Sequence, residues 1–199
     1  MRSGYWNHNS AYHPWLLGIA ASHRGHVLDV GCGDCLLAQR LASVAETVTA
    51  IDSDPATLGR CADRLASIRN ATAHLVDFTE YQPGERRIDL ITFVASLHHM
   101  DTAAGLRKAR ELLAPGGEIV VVGLAANKSI GDWAWSAASM APARVAGWLN
   151  GEKRDIGVPV AEPRESLSEI RSIVADLLPN AWIRRGLYYR YLLRWRLAD

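Results

Sequence analysis

Five short runs rich in Val, Ile and Thr punctuate the chain after Gly25: HVLDV, TVTAID, ATAHLVD, RIDLITFV and GEIVVVGL. Each has the composition of a strand, and segments of helical spacing separate them. Strands alternating with helices of this length build parallel βαβ units with right-handed crossovers. The expected fold is therefore α/β, a doubly wound and mostly parallel sheet.

The helices have legible beginnings. Asp54 and Pro55 form an N-cap and a proline at the first helical position, after which Leu58, Ala62 and Leu65 share a face. Thr102 opens a second helix, expected to stop at Pro115, Gly116 and Gly117. The last third breaks the rhythm. Residues 128–150 form a Trp-rich helical insert, Gly151 to Pro163 reads as a loop, and Ser166 with Glu169 makes a capping box. At the end, Leu187, Tyr189, Tyr191, Leu193, Trp195 and Leu197 alternate with Arg190, Arg194 and Arg196. That period of two marks a strand with one face buried. With AWIRRGLY before it, the tail reads as two closing strands, the arginines being a solvated face.

A chain of 199 residues fits one domain. The expected division of residues 1–199 is an N-terminal helical cap over about 1–24 and an insert over about 127–163. Net charge of +1 gives no global reason to expect nucleic acid or an anionic membrane. No apolar run approaches the roughly 18 residues of a membrane span. MRSGYWNHNSAYHPWLLG interrupts its apolar residues with His, Asn and Pro, unlike a signal peptide. Three cysteines are an odd count, unlike a secreted disulfide framework. A cytoplasmic protein is the expectation.

The stretch VLDVGCGDC, Val27 to Cys35, admits two readings. Cys32 and Cys35 could be a C-x-x-C metal or redox pair. Zinc, however, needs about four ligands, and no second close Cys/His pair of the usual spacing accompanies them. Gly31 and Gly33, at the carboxyl end of the first strand, instead suit a loop against which a ligand packs its backbone-facing edge. A dinucleotide loop would want glycine where Leu36 stands. Asp29 beside the loop suits a cationic ligand better than a pyrophosphate. Asp52 ends the second strand, where a carboxylate can accept from both ribose hydroxyls. Asp77 ends the third, where it could accept from an adenine amino group while Phe78 covers the base.

These residues resemble the class I S-adenosylmethionine-dependent methyltransferases. VLDVGCGDC is similar to the family's glycine motif, although the family often has glycine in place of Cys35. AID (Ala50–Asp52) is similar to its ribose motif and LVDF (Leu75–Phe78) to its adenine motif. DLITFVASLHHM (Asp89–Met100) is similar to the strand and loop facing the transferable methyl, and LLAPGG to the next strand entrance. The resemblance implies a seven-stranded sheet with an antiparallel C-terminal strand, and S-adenosylmethionine as cofactor. It implies cofactor contacts at Asp29, Gly31, Gly33, Asp34, Asp52, Ser53, Asp77, Phe78 and Ala95.

The same resemblance points to a reaction. A hydroxyl acceptor must lose its proton, and histidine suits the task with an unperturbed pKa near 6.5. His98 and His99 lie in SLHHM at the end of the fourth strand. Adjacent side chains diverge, so they are expected not to share one job, and His99 is the favoured base. Glycoside and other small-molecule O-methyltransferases have a similar His-His pair. Some quinone-pathway relatives hold a divalent metal with E-x-x-E-H, and Ala95 and His98 replace those two acids, which leaves metal use open. Tyr12 and His13 in the N-terminal segment, and Trp133 and Trp135 in the insert, are candidates to touch the acceptor. The implied partner is a small molecule, with a carbohydrate hydroxyl favoured. N- or C-methylation of a metabolite, or a cofactor-binding module without catalysis, are the alternatives. The amide-nitrogen motif of nucleic-acid and glutamine methylation is absent.

Overall fold

The computed structural model describes residues 4–84, 86–152 and 161–199. Seven strands form one sheet: β1 (His26–Val30), β2 (Thr47–Asp52), β3 (Ala71–Leu75), β4 (Ile88–Val94), β5 (Leu113–Leu124), β6 (Trp182–Arg185) and β7 (Arg190–Arg196). Their order across the sheet is β3-β2-β1-β4-β5-β7-β6. The first five pair in parallel, and β7 runs antiparallel between β5 and β6. The expected sheet, with its antiparallel C-terminal strand, is the observed one.

Six α-helices accompany the strands: α1 (His13–His23), α2 (Leu36–Leu41), α3 (Pro55–Leu65), α4 (Thr102–Leu112), α5 (Ile130–Leu149) and α6 (Leu167–Leu177). Both faces of the central strands are covered, which is why β1, β4 and β5 read as near-continuous apolar runs. Leu28, Ile91, Phe93 and Val121 pack on one face with Leu106 of α4 and Ile170 of α6. Val27, Leu90 and Val120 pack on the other with Leu16 of α1, Leu37 of α2 and Cys61 of α3.

The caps follow their chemistry. The Asp54 carboxylate accepts from the Ala56 and Thr57 amides, and Ser166 and Glu169 cap α6 reciprocally. Ser129 and Asp132 make a second capping box at α5. Two boundaries differ from the sequence reading. Helix α4 ends at Leu112, and β5 begins at Leu113, because Leu113 is buried and pairs with Ile88 ahead of a register shift. Strand β7 starts at Arg190 rather than Leu187, since Tyr188 and Tyr189 take positive φ and turn the chain. Of the insert expected over about 127–163, residues 153–160 lie outside the described residues.

The cysteines also depart from expectation. Cys35 is joined in a disulfide to Cys61 of α3, and Cys32 is free and buried between them, its Sγ 3.5 Å from that of Cys35. An odd count conceals one bridge and one thiol. Cys35 sits at φ 60 before α2, which turns its side chain toward α3.

Candidate active site

The carboxyl ends of β1, β2 and β4 open on one cavity of about 440 Å³. Open α/β sheets bind ligands at this edge, where the strand order reverses and the helices on neighbouring strands go to opposite faces. Here β1 is that point, flanked by β2 and β4.

Gly31 follows β1 at φ +68, and a Cβ on it would sit 2.4 Å from Cβ of Ser96. Only glycine lets the β1 and β4 ends approach this closely. Gly33, at φ 58, donates its amide to Asp52 Oδ2 at 3.0 Å. The other oxygen of Asp52 accepts from the Asp54 amide at 3.0 Å. One carboxylate thus holds the glycine loop and the β2 turn together beside the cavity.

Asp29 is buried, and only one of its oxygens is used. Thr92 Oγ1 donates to Oδ1 at 2.8 Å, whereas Oδ2 is buried without a partner. Burial, with the Asp52 charge adding to it, pushes the Asp29 carboxyl up to about 7. A buried oxygen left open on a cavity wall fits a cationic group, which would complete its hydrogen bonding and favour its ionised form.

The remaining expected cofactor residues are placed as follows. Asp34 lines the cavity, but its carboxylate is engaged by Arg64 Nη2 at 2.6 Å and Tyr5 Oη at 3.0 Å. It fastens the loop to α3 and the N-terminal segment. Ser53 and Ala95 line the cavity, Ala95 at φ 54. Asp77 is exposed at the cavity's rim and accepts from the Thr79 amide at 2.7 Å. Its carboxyl is held below the usual range by the Thr79 hydroxyl and amide. Phe78 is a core ring, edge-to-face on Phe93 at 5.4 Å between centroids, and it contributes to the lining as well.

His98 and His99 stand on a 3-10 turn after β4, and both line the cavity. The tight turn keeps their rings 4.3 Å apart instead of letting them diverge, as alternation along a strand would require. His98 is buried, with Nδ1 unpartnered. Burial lowers its pKa to about 4, with His99 and Arg190 pushing the same way and the Ala161 carbonyl opposing. His99 is the exposed member of the pair.

The four acceptor candidates separate. His13 lines the cavity, but its Nδ1 lies 2.9 Å from Arg40 Nη1. Burial and that guanidinium lower its pKa to about 3, so it is a neutral acceptor for Arg40. Tyr12 is turned away, its hydroxyl donating to the Leu187 carbonyl at 2.7 Å. Trp133 and Trp135 are 64% and 42% exposed and border a different cavity of about 340 Å³.

Asn9 and Arg190 are among the residues on the main cavity that the sequence did not single out. Arg190 belongs to the set read as a solvated strand face, yet Asn9 Oδ1 accepts from its Nε and Nη2 at 3.0 and 2.7 Å. Only the fold brings together positions separated by 181 residues. Among the described residues, the group with side chains in metal-binding reach is Cys32, Cys35 and Cys61, two of which are bridged.

The strand order, the glycine loop and the acids at successive strand ends define the frame of a class I methyltransferase. The comparisons agree. Residues 28–119 match the family model described as a methyltransferase domain. Over 193 residues the chain is 37% identical to an uncharacterized methyltransferase of Mycobacterium tuberculosis, with 96% of each chain covered. A ubiquinone biosynthesis O-methyltransferase of Ralstonia nicotianae is 29% identical over 135 residues, 58% of this chain and 54% of that one. The N-methyltransferase NodS of Bradyrhizobium japonicum WM9, solved with S-adenosyl-l-homocysteine, superposes with a TM-score of 0.66 at 19% identity. That superposition covers 96% of this chain and 87% of that one. The chain belongs to the class I S-adenosylmethionine-dependent methyltransferases, and S-adenosylmethionine is the cofactor of that family. No helix among the described residues is long and apolar enough to cross a membrane.

Proposed function

We propose that the protein transfers the methyl group of S-adenosylmethionine to a hydroxyl of a small molecule. The observation that carries this reading is the His98–His99 pair on the wall of the cavity that Asp29 and Asp52 also line. Bound there, S-adenosylmethionine supplies an electrophilic methyl, and the chain's residues have four tasks. Asp52 accepts from the ribose hydroxyls while continuing to hold the Gly33 amide. Asp29 Oδ2 receives a cationic group, and Asp77 lies at the adenine end beside Phe78. His99 takes the hydroxyl proton on its imidazole, because a protonated ether is a very poor product.

O-methylation also agrees with the name of the Ralstonia relative, though that relative matches only part of this chain. A carbohydrate acceptor, favoured from the resemblance to glycoside O-methyltransferases, draws no support from Trp133 and Trp135, which line the second cavity. The reading takes residues 1–199 as one methyltransferase unit in which the N-terminal segment, through Tyr5 and Asn9, closes over the strand ends.

Calorimetry with S-adenosylhomocysteine tests the cofactor half. Asp52→Ala should weaken binding by roughly 1–3 kcal/mol, the cost of losing hydrogen bonds to a charged group. Unchanged affinity would overturn the assignment. Transfer of labelled methyl from S-adenosylmethionine to a panel of alcohols, phenols and amines tests the acceptor half. Labelling confined to amines would replace the hydroxyl reading with N-methylation.

A further inference from the structure

Arg190 opens β7, and its side chain reaches back under the N-terminal segment. Its three nitrogens find neutral partners: Asn9 Oδ1 accepts from Nε and Nη2, and the Tyr188 carbonyl accepts from Nη1 at 3.2 Å. A guanidinium carries five N–H groups, so these bonds leave donors unused. Among the described residues, no carboxylate pairs with it. Glu152, which lines the same cavity, is paired with His8 at 3.1 Å. Taking a guanidinium out of water without a counter-charge is costly, and burial lowers its pKa to about 10. Asn9, an amide, stands where a carboxylate would ordinarily be found.

The location of this charge is informative. Arg190 lines the main cavity with His98 and His99, and it also borders the second cavity behind it. Asp29 and Asp52 supply negative charge near the glycine loop, whereas Arg190 places a positive charge near the histidines.

We infer that Arg190 and Asn9 form an anion subsite, and that the methyl acceptor carries a carboxylate or phosphate group seated there. The inference rests on the methyltransferase reading above and adds the charge of the acceptor to it. The planar fork of an arginine matches two oxygens of such a group, and Asn9 fixes the fork from the far side. An anion so held also offsets the positive charge that depresses the basicity of His98.

The test uses the full chain saturated with S-adenosylhomocysteine and four probes of similar shape followed by ligand-observed NMR. Benzoate and phenyl phosphate carry the charge; benzamide and benzyl alcohol do not. The better of the two anions should bind about tenfold or more tightly than either neutral probe, as charge-assisted hydrogen bonds would give. Whichever anion is preferred identifies the acceptor group as carboxylate or phosphate. Arg190→Gln should abolish the preference, and Arg190→Lys should keep part of it, since charge survives but the fork does not. Thermal unfolding and S-adenosylhomocysteine affinity report whether each variant is folded. Should the Gln variant not fold, the comparison of the better anion with the two neutral probes on the unaltered protein still decides. Equal affinity for charged and neutral probes overturns the subsite, as does a folded Gln variant that keeps the preference. Failure to bind S-adenosylhomocysteine at all would instead overturn the cofactor reading.

Discussion

Near the glycine loop, the cavity is walled by residues carried at successive strand ends: Asp29 within β1 and Gly33 just after it, Asp52 as the last residue of β2, and Asp77 after β3. Near the histidines, it is walled by Asn9 from the N-terminal segment, His98 and His99 after β4, and Arg190 from the closing hairpin. The first wall is held by hydrogen bonds between neighbouring turns, such as Gly33 to Asp52. The second is held by a side-chain contact across most of the chain, Arg190 to Asn9. A doubly wound sheet thus sets one end of its ligand cleft through the order of its strands, with Arg64, Tyr5 and the Cys35–Cys61 bridge fastening the loop. The other end depends on segments added outside the repeating βαβ units, and there the identity of the acceptor can be set.

The sharpest way to break this division is to remove the base. His99→Ala should lower turnover about 10²–10⁴-fold while S-adenosylhomocysteine affinity stays nearly constant. His98→Ala should have a smaller effect, since burial leaves His98 neutral but weakly basic, with a pKa of about 4. The measurement is turnover at saturating S-adenosylmethionine, beside calorimetry on each variant. Near-normal turnover in both single variants and in the double variant would remove histidine from the mechanism. A parallel loss of cofactor affinity would show that the two ends are not separable.

The same division explains what could be read from the sequence. The seven strands, the strand-end acids and the glycine loop were all legible because each lies within a contiguous motif governed by local geometry. The Cys35–Cys61 bridge was not, because one partner ends the glycine loop, the other lies on α3, and no spacing pattern links them. Nor was Arg190, since alternation with Tyr191 and Leu193 describes a solvated strand face equally well. Its contact with Asn9 needs the N-terminal segment to fold over the hairpin. The closeness of the His98 and His99 rings was not legible for a local reason: a 3-10 turn, not an extended strand, carries them.

A second prediction concerns the stability of the glycine-loop end. The disulfide closes a segment of 26 residues between the loop and α3. Restricting the unfolded chain in this way contributes ~3 kcal/mol. Cys61→Ser should therefore lower stability by about that amount in urea unfolding, and a reductant should bring the unaltered protein to a similar midpoint. Cys32→Ser should change little by comparison. Burial and the Asp29 and Asp52 carboxylates raise the Cys32 thiol, keeping it protonated and a poor nucleophile toward the bridge. An unchanged midpoint under reducing conditions would show that packing of Cys35 and Cys61, not their bond, secures the loop.

The smallest effect is a proton. Asp29 is raised by burial to about 7, so the folded apoprotein binds its proton more tightly than the unfolded chain does. Its contribution therefore favours folding at low pH. That contribution declines as pH rises from the ordinary carboxylate range through about 7. A cation meeting Oδ2 reverses the preference, because it favours the ionised form. Cofactor binding below pH 7 should then release a proton, and affinity should weaken on acidification by at most ~tenfold per pH unit. Calorimetry with S-adenosylhomocysteine at pH 6, in two buffers of different ionisation heat, measures the release directly. Asp29→Asn keeps the shape of the side chain without the ionisable group and should show equal heats in both buffers. Equal heats for the unaltered protein would mean that the cofactor's cationic group lies elsewhere. Benzoate seated at Arg190 lacks this release, since no carboxyl there gives up a proton. A release of the same size with benzoate would place Asp29 under the influence of both ends and dissolve the distinction between them.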